Sequence, residues 1–377
     1  MRYSSLVWGP ALLVAAGTLG APGCGGSAEE ASDGATSTAT STGSTGSGGD
    51  AAVGAGAGGD ATTTTTGGAG GSTPAGLGCH DARPPNAPSP PALPTYAGTC
   101  PTLQPGLNTI DTDGNTRAFR LVVPSQINAG ERLPVIFLWH WLGGEATDFI
   151  EQGDVQTAAD ANRFIAVVPE KKGDVQFTWP MDVLSNSSRR DEELTFFDDM
   201  LGCVAEQFDV NEDCVASAGV SAGALFTGSV LAGGRGEHLS SFVSLSGGTG
   251  GVIQGWSTPA HKMPAIVLWG GPSDTCASVL SFQTLSQELE SGLTQDGHFF
   301  LECVHNCGHA APPFDVPAGE TDFAMMWQFI LDHPYWLEDG DSPYLSEGLP
   351  DVMPDWCGIG TGSATIRSGA CTNPGGC

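Results

Sequence analysis

Between residues 117 and 305 the chain alternates short, almost uninterrupted apolar runs with longer stretches of mixed polarity. The runs are RAFRLVVPS (117–125), PVIFLWH (134–140), FIAVVPE (164–170), VASAGV (215–220), SFVSLSGG (241–248), AIVLWGG (265–271) and FFLECVH (299–305). A strand with one wet face alternates apolar and polar residues, so runs with few polar positions predict strands covered on both faces. Helical spacing falls between them: within 191–208, Leu194, Phe197, Leu201, Val204 and Phe208 recur every three or four residues and form one stripe. This order predicts an α/β fold with a mainly parallel central sheet and helices on both faces. Asp113-Gly114, just ahead of the first run, predicts a tight hairpin and hence antiparallel leading strands. Asp111-Thr112-Asp113-Gly114 lacks the remaining positions of a calcium loop and reads as a turn.

The N-terminal fifth has a different texture. Arg2 precedes an apolar core at 5–19 (SLVWGPALLVAAGTL) and small residues follow, the layout of an export signal too short and too broken by Pro10 to span a bilayer. Leu19-Gly20-Ala21-Pro22-Gly23-Cys24 resembles a lipobox, in which cleavage leaves a lipidated cysteine, here Cys24, as the new N-terminus. Ordinary secretion with cleavage nearby is the alternative. Residues 25–76 are Gly, Ser, Thr and Ala with five acidic residues and neither Lys, Arg nor aromatics. Such a segment cannot bury enough apolar surface to order itself, and as a coil of about fifty residues it spans on the order of 40 Å. The expected organisation is a signal at 1–24, a Gly/Ser/Thr/Pro-rich stalk at 25–99, one catalytic domain at 100–335 and a cysteine-containing tail at 336–377.

Of 11 cysteines, all but Cys24 lie at or after Cys79, leaving an even set behind an export signal. That reads as disulfides formed in an oxidising compartment. Cys203 with Cys214 and Cys303 with Cys307 are the local candidates, and Cys357, Cys371 and Cys377 would fasten the tail. Without a C-x-x-C pair or a helical H-x-x-x-H, a metal site is not expected. A net charge of −29, from 13 basic against 42 acidic residues, repels nucleic acid and anionic lipid, so membrane contact is expected only through the anchor.

Gly219-Val220-Ser221-Ala222-Gly223 is a G-x-S-x-G pentapeptide, but a chain with 55 glycines in 377 residues produces one on the order of once by chance. Context separates accident from chemistry. Ser221 lies between a predicted buried strand and the predicted helix ALFTGSVLA, where a nucleophile elbow belongs. Asp274 follows AIVLWGG and His309 follows FFLECVH, giving the order serine, acid, histidine, with the acid and histidine on loops after later strands. His305 is the rival base in the same loop; His309 is preferred because Gly308 lets the chain turn back. His261, His298 and His333 are less suited. Oxyanion donors are expected from the N–H groups of Ala222 and of Trp141 or Leu142, in the loop HWLGGEATDF at 140–149.

That loop, the elbow GVSAGALFT and the spacing of Cys203 to Cys214 resemble the extracellular esterases of the polyhydroxybutyrate-depolymerase family and the related feruloyl and acetylxylan esterases, over about residues 115–335. The resemblance implies an α/β-hydrolase fold, a serine esterase working through an acyl-enzyme, no metal or organic cofactor, and a monomer acting on a polymeric ester. One position departs from the family: the glycine expected after His140 is Trp141, whose indole either narrows the acyl pocket or closes it. The two readings are an active esterase and a hydrolase-fold surface protein that binds without turnover. Trp139, Trp179, Trp256 and Trp269 are further candidates to line a cleft. Only about sixteen residues separate SLSGG from AIVLWGG, too few for a large helical lid. A histidine base must be neutral to act, so activity is expected to rise with pH.

Overall fold

The computed structural model describes residues 78–172, 187–250, 254–276 and 280–371. The signal-like segment, Cys24, the stalk up to residue 77, Trp179 and Cys377 lie outside the described residues. Two leading strands, β1 (Gly106–Thr112) and β2 (Asn115–Val122), form the expected antiparallel pair. Asp113 and Gly114 join them, both at positive φ (46° and 73°), as a two-residue turn matched to the twist of the strands requires. There follow β3 (Leu133–Trp139), α1 (Ala146–Gln152), α2 (Val155–Asn162), β4 (Ile165–Pro169), α3 (Ser187–Gln207) and β5 (Val210–Val220). A helical stretch comes next: α4 (Ala222–Leu225), a π-helical turn (Phe226–Leu231) and α5 (Ala232–Arg235). Then come β6 (Ser241–Leu245), β7 (Ala265–Trp269), the small hairpin β8 (Thr275–Cys276) and β9 (Leu280–Ser281), α6 (Phe282–Asp296), β10 (Phe300–Val304), α7 (Ala324–Leu331), α8 (Tyr344–Glu347) and β11 (Cys357–Ile359).

Among the described residues one sheet has the order β1-β2-β4-β3-β5-β6-β7-β10-β11. Strands β4, β3, β5, β6, β7 and β10 are parallel; β2 and β11 run antiparallel to them, and β1 pairs antiparallel with β2 at one edge. All seven apolar runs are strands of this sheet. The unbroken burial of β3 has its reason in two cores. Val135, Phe137 and Trp139 face one side, with Phe196, Phe197 and Met200 of α3 and Leu289 and Leu293 of α6. Ile136 and Leu138 face the other, with Ala158 and Ala159 of α2 and Trp327, Phe329 and Ile330 of α7. Successive side chains of a strand point to opposite faces, so a strand roofed on both sides leaves little room for polar residues, and β3 carries none.

In α3, Phe197, Leu201 and Val204 of the expected stripe are fully buried, with Leu194 and Phe208 at its margin. The stripe is wider than its spacing suggested, because Arg189, Glu192 and Glu193 are buried as well. Arg117 of β2 makes a bidentate contact to Glu193 (2.9 and 3.0 Å), Arg189 reaches Glu192 and Glu193 at 2.7 Å each, and Lys172 reaches Glu192 at 2.9 Å. Mutual pairing is what permits such charges to leave water.

The disulfides differ from the local pairs. Cys203 bonds Cys100 and Cys214 bonds Cys79, while Cys303 bonds Cys357 and Cys307 bonds Cys371; Cys276 is disulfide-bonded as well. Closeness in sequence is no guide here. Cys203 lies inside α3 and Cys214 inside β5, two rigid elements packed with their own neighbours, whereas the partners arrive on irregular segments free to reach them. The stalk, expected to extend to residue 99, is likewise shortened by the structure. Cys79 is buried, its N–H bonds Leu331 O and its carbonyl accepts from Asn211. Arg83 pairs with Asp213 at 2.8 Å. The backbone of 94–96 lies in a notch on α3 where a side chain at Gly202 would meet Tyr96 N at 2.8 Å. The tail, for its part, reaches the sheet: β11 pairs with β10 in the register Leu301 to Ile359, Glu302 to Gly358 and Cys303 to Cys357.

Candidate active site

Five neighbouring parallel strands, β3, β5, β6, β7 and β10, end at one rim of the sheet, and the candidate residues stand on the loops that leave them. Crevices outside the carboxyl ends of such strands are where open α/β sheets bind ligands. Ser221 leaves β5 with φ 54° and ψ −115°, an uncommon backbone for a residue with a side chain. Its N–H is held by Leu245 O (2.8 Å), and its carbonyl accepts from Leu225 N (2.9 Å), opening α4. The flanking glycines are sterically required. A Cβ at Gly219 would lie 2.3 Å from the Gly223 carbonyl group, and one at Gly223 would lie 2.0 Å from Trp139 O and 2.8 Å from His140 O. The pentapeptide is therefore a turn so tight that strand, serine and helix touch through backbone alone.

His309 Nε2 lies 2.8 Å from Ser221 Oγ and its Nδ1 2.7 Å from Asp274 Oδ1. A carboxylate only accepts hydrogen bonds, so Nδ1 carries the proton and the Nε2 lone pair faces the serine hydroxyl. Asp274 is fully buried and satisfied: its Oδ2 accepts from Ser246 Oγ (2.8 Å) and Gly270 N (2.7 Å). The acid and histidine loops meet backbone to backbone, Gly308 N donating to Gly270 O at 3.0 Å. The imidazole stacks on Phe282 at the start of α6, with centroids 4.3 Å apart and planes 14° apart.

His305 does not join this group. It is buried, its Nδ1 accepts from Cys307 N, and burial pushes it down to about 4. His261, His298 and His333 are buried too, with carbonyls of Met263 and Phe329 held by the last two. Of the tryptophans proposed for a cleft, Trp139 and Trp269 are core, and Trp256 packs on Gly292 while donating to Asp296.

A cavity of about 360 Å³ opens beside Ser221 and His309. Its wall is mostly apolar, from Leu142, Phe149, Val220, Leu225, Leu280, Phe282, Pro312 and Phe323, with Ser246 and Gln152 as further polar groups. Trp141 stands in this wall and does not fill the cavity. Its indole lies over Gly144, where a Cβ would be 2.8 Å from the ring, and near Phe149 at 6.4 Å between centroids. The loop backbone is fixed through the Trp141 carbonyl, which accepts from His140 Nδ1 (2.9 Å) and Gly144 N (3.1 Å). In a trans peptide C=O and N–H point in opposite directions, so the Leu142 N–H is turned away from those two donors. Ala222 N–H belongs to the helix start that presses on the end of β3, so both expected donors come from adjacent backbone.

Sequence reasoning missed three residues. Ser246, Phe282 and His140 hold the acid, the imidazole and the donor loop, and a serine, a phenylalanine and a histidine in these places carry no signature beyond their position after a strand or at a helix start.

No protein-family model matches the sequence, and a search of curated proteins finds no match. Solved structures do. The crystal structure of native sOPH superposes with a TM-score of 0.55 at 17% identity, over 72% of this chain and 99% of that one. Native pOPH gives 0.55 at 15% identity, over 72% and 99%. A ferulic acid esterase reaches a TM-score of 0.41 at 14% identity, over 54% and 90%. The first two likenesses, with the strand order above, establish the fold. The chain has the α/β-hydrolase fold.

Proposed function

We propose that the protein is a serine esterase that hydrolyses carboxylic esters through an acyl-enzyme. The observation that carries this is the continuous hydrogen-bonded line Ser221–His309–Asp274 at the mouth of an apolar cavity. His309 takes the proton of Ser221 as Oγ attacks the ester carbonyl, and Asp274 steadies the imidazolium that results. Ala222 and Leu142 N–H groups, with Trp141 N–H as the alternative in the same loop, receive the oxyanion. His309 then protonates the leaving alcohol and activates the water that releases the acid, so no metal or organic cofactor enters.

For the substrate we infer a polymeric ester of the polyhydroxyalkanoate kind, supported by the apolar wall and by the resemblance of loop and elbow. A feruloyl or acetylated polysaccharide is the second reading, favoured by the aromatic faces of Phe149, Phe282 and Trp141 around the cavity. Disulfides and the export-like N-terminus support a secreted enzyme held at the surface through Cys24, working as a monomer. That the cavity stays open beside Trp141 weighs against the non-catalytic reading.

A fluorophosphonate is expected to label Ser221 in the oxidised protein, and Ser221→Ala to abolish both labelling and hydrolysis of p-nitrophenyl butyrate. Turnover that survives Ser221→Ala would sink the assignment. A panel of polyester film, feruloyl ester and p-nitrophenyl acyl esters ranks the substrates.

A further inference from the structure

The tail beyond α8 has no place in the chemistry above, yet its contacts converge on the loop that carries His309. That loop leaves β10, whose outer edge is paired only with the three residues of β11 among the described residues. From there the chain keeps its grip on the loop. Cys357 bonds Cys303, and Arg367 N donates to Val304 O at 2.9 Å, one residue further along. The Arg367 guanidinium donates to Asn306 Oδ1 (2.9 Å) while Asn306 Nδ2 donates to Gly369 O (2.9 Å). Cys371 bonds Cys307, two residues before the histidine. Residues 303, 304, 306 and 307 are thus each fastened to the tail.

The loop is held beyond His309 as well. Trp356, buried just ahead of β11, stacks on Phe314 (5.8 Å, 9°) and meets His305 edge-on (5.9 Å, 68°). Phe314 in turn packs on Phe323, which lines the cavity. On its inner side the loop has the backbone contacts of Gly308 to Gly270 and His305 to Trp269. Without the tail it would be supported from that side alone, and a loop with one open face is the kind of segment that drifts.

We propose that residues 356–371 form a positioning element for His309, with the Cys307–Cys371 disulfide and the Arg367–Asn306 pair as its two fastenings. The inference rests on the esterase reading, because only a base that must stay within hydrogen-bond reach of Ser221 makes the placement of this loop matter. A displacement of about 1 Å in a reacting group costs up to about a hundredfold in rate. The tail thereby acts on kcat through His309, without touching substrate.

The test uses the full chain with Cys371→Ser, Arg367→Ala and Arg367→Lys, and as a remote control Cys79→Ser with Cys214→Ser. For p-nitrophenyl butyrate, Cys371→Ser is expected to lower kcat about tenfold at room temperature with KM within about twofold, and to slow fluorophosphonate labelling in step. Arg367→Ala gives a smaller loss in the same sense, which Arg367→Lys largely restores. The control lowers the melting temperature and leaves kcat alone. Unchanged kcat in both Cys371→Ser and Arg367→Ala, whatever their melting temperatures, overturns the proposal and makes the tail a stabiliser only. If Cys371→Ser fails to fold, Arg367→Ala decides. Absent turnover in the unaltered protein overturns the esterase reading, and this inference with it.

Discussion

Asp274 can orient a histidine from a fully buried site because every donor it needs is supplied by the protein, and Ser246 is the one of these that a mutation can remove cleanly. Gly270 gives a backbone N–H that no substitution deletes; Ser246 gives a hydroxyl at 2.8 Å. A hydrogen bond to a charged group contributes about 1.5–3 kcal/mol. Ser246→Ala therefore leaves Oδ2 with one donor, and kcat for a small ester is expected to fall by about tenfold or more, with little change in KM. Unaltered kcat would show that Gly270 N–H alone suffices. The residues that the structure brings together, Ser221, His309 and Asp274, were legible in the sequence, since the position of a polar residue just after a buried apolar run says which rim of the sheet it occupies. Their supports were not. Ser246 follows β6 as dozens of serines follow strands, and its role exists only through a carboxylate that arrives from another loop.

Elements explain why Trp141 is tolerated where a glycine was expected. The loop after β3 turns on Gly143 at φ 79° and leaves open space over Gly144, into which the indole folds. The side chain thus becomes wall, and its removal should lengthen the cavity along that side. Trp141→Ala is expected to raise the ratio of kcat/KM for a decanoyl over a butyryl p-nitrophenyl ester by about tenfold, since apolar contacts are worth roughly 1–3 kcal/mol per methylene. An unchanged ratio would place the acyl chain elsewhere. A second element contact has a pH signature. Glu290 of α6 is buried, neither carboxylate oxygen has a hydrogen-bond partner among the described residues, and burial, reinforced by Glu302 of β10, pushes it up to about 8 from 4.5. Between those values the folded chain holds a proton that the unfolded chain has lost. Stability is thus expected to fall as pH rises through that window, by about 1.4 kcal/mol per unit from this group. Glu290→Gln should flatten the slope and raise the melting temperature at pH 8; denaturation across the window reads both.

At the scale of the whole molecule the fold was legible and its margins were not. The parallel core shows in the sequence because burial on both faces leaves a run of apolar letters, whatever lies around it. Residues 78–99 carry no such mark: they are proline-rich, take no regular structure, and are held by Cys79–Cys214, by the Arg83–Asp213 pair and by Leu93 and Tyr96 against the core. Each of those contacts is made by a residue whose partner lies more than a hundred positions away or on a packed helix, so composition alone files the segment with the stalk. The boundary can be measured. A chain starting at Gly78 keeps all of these contacts and is expected to hydrolyse p-nitrophenyl butyrate like the full protein. One starting at Cys100 loses the disulfide, which spans a separation of 135 residues, and leaves Asp213 buried without its arginine. Removal of such a disulfide costs about 2–5 kcal/mol, and in a domain of this size each kcal/mol moves the midpoint by roughly 2–4 °C. The shorter chain should therefore melt about 10 °C lower, whereas coincident melting curves would return residues 78–99 to the stalk.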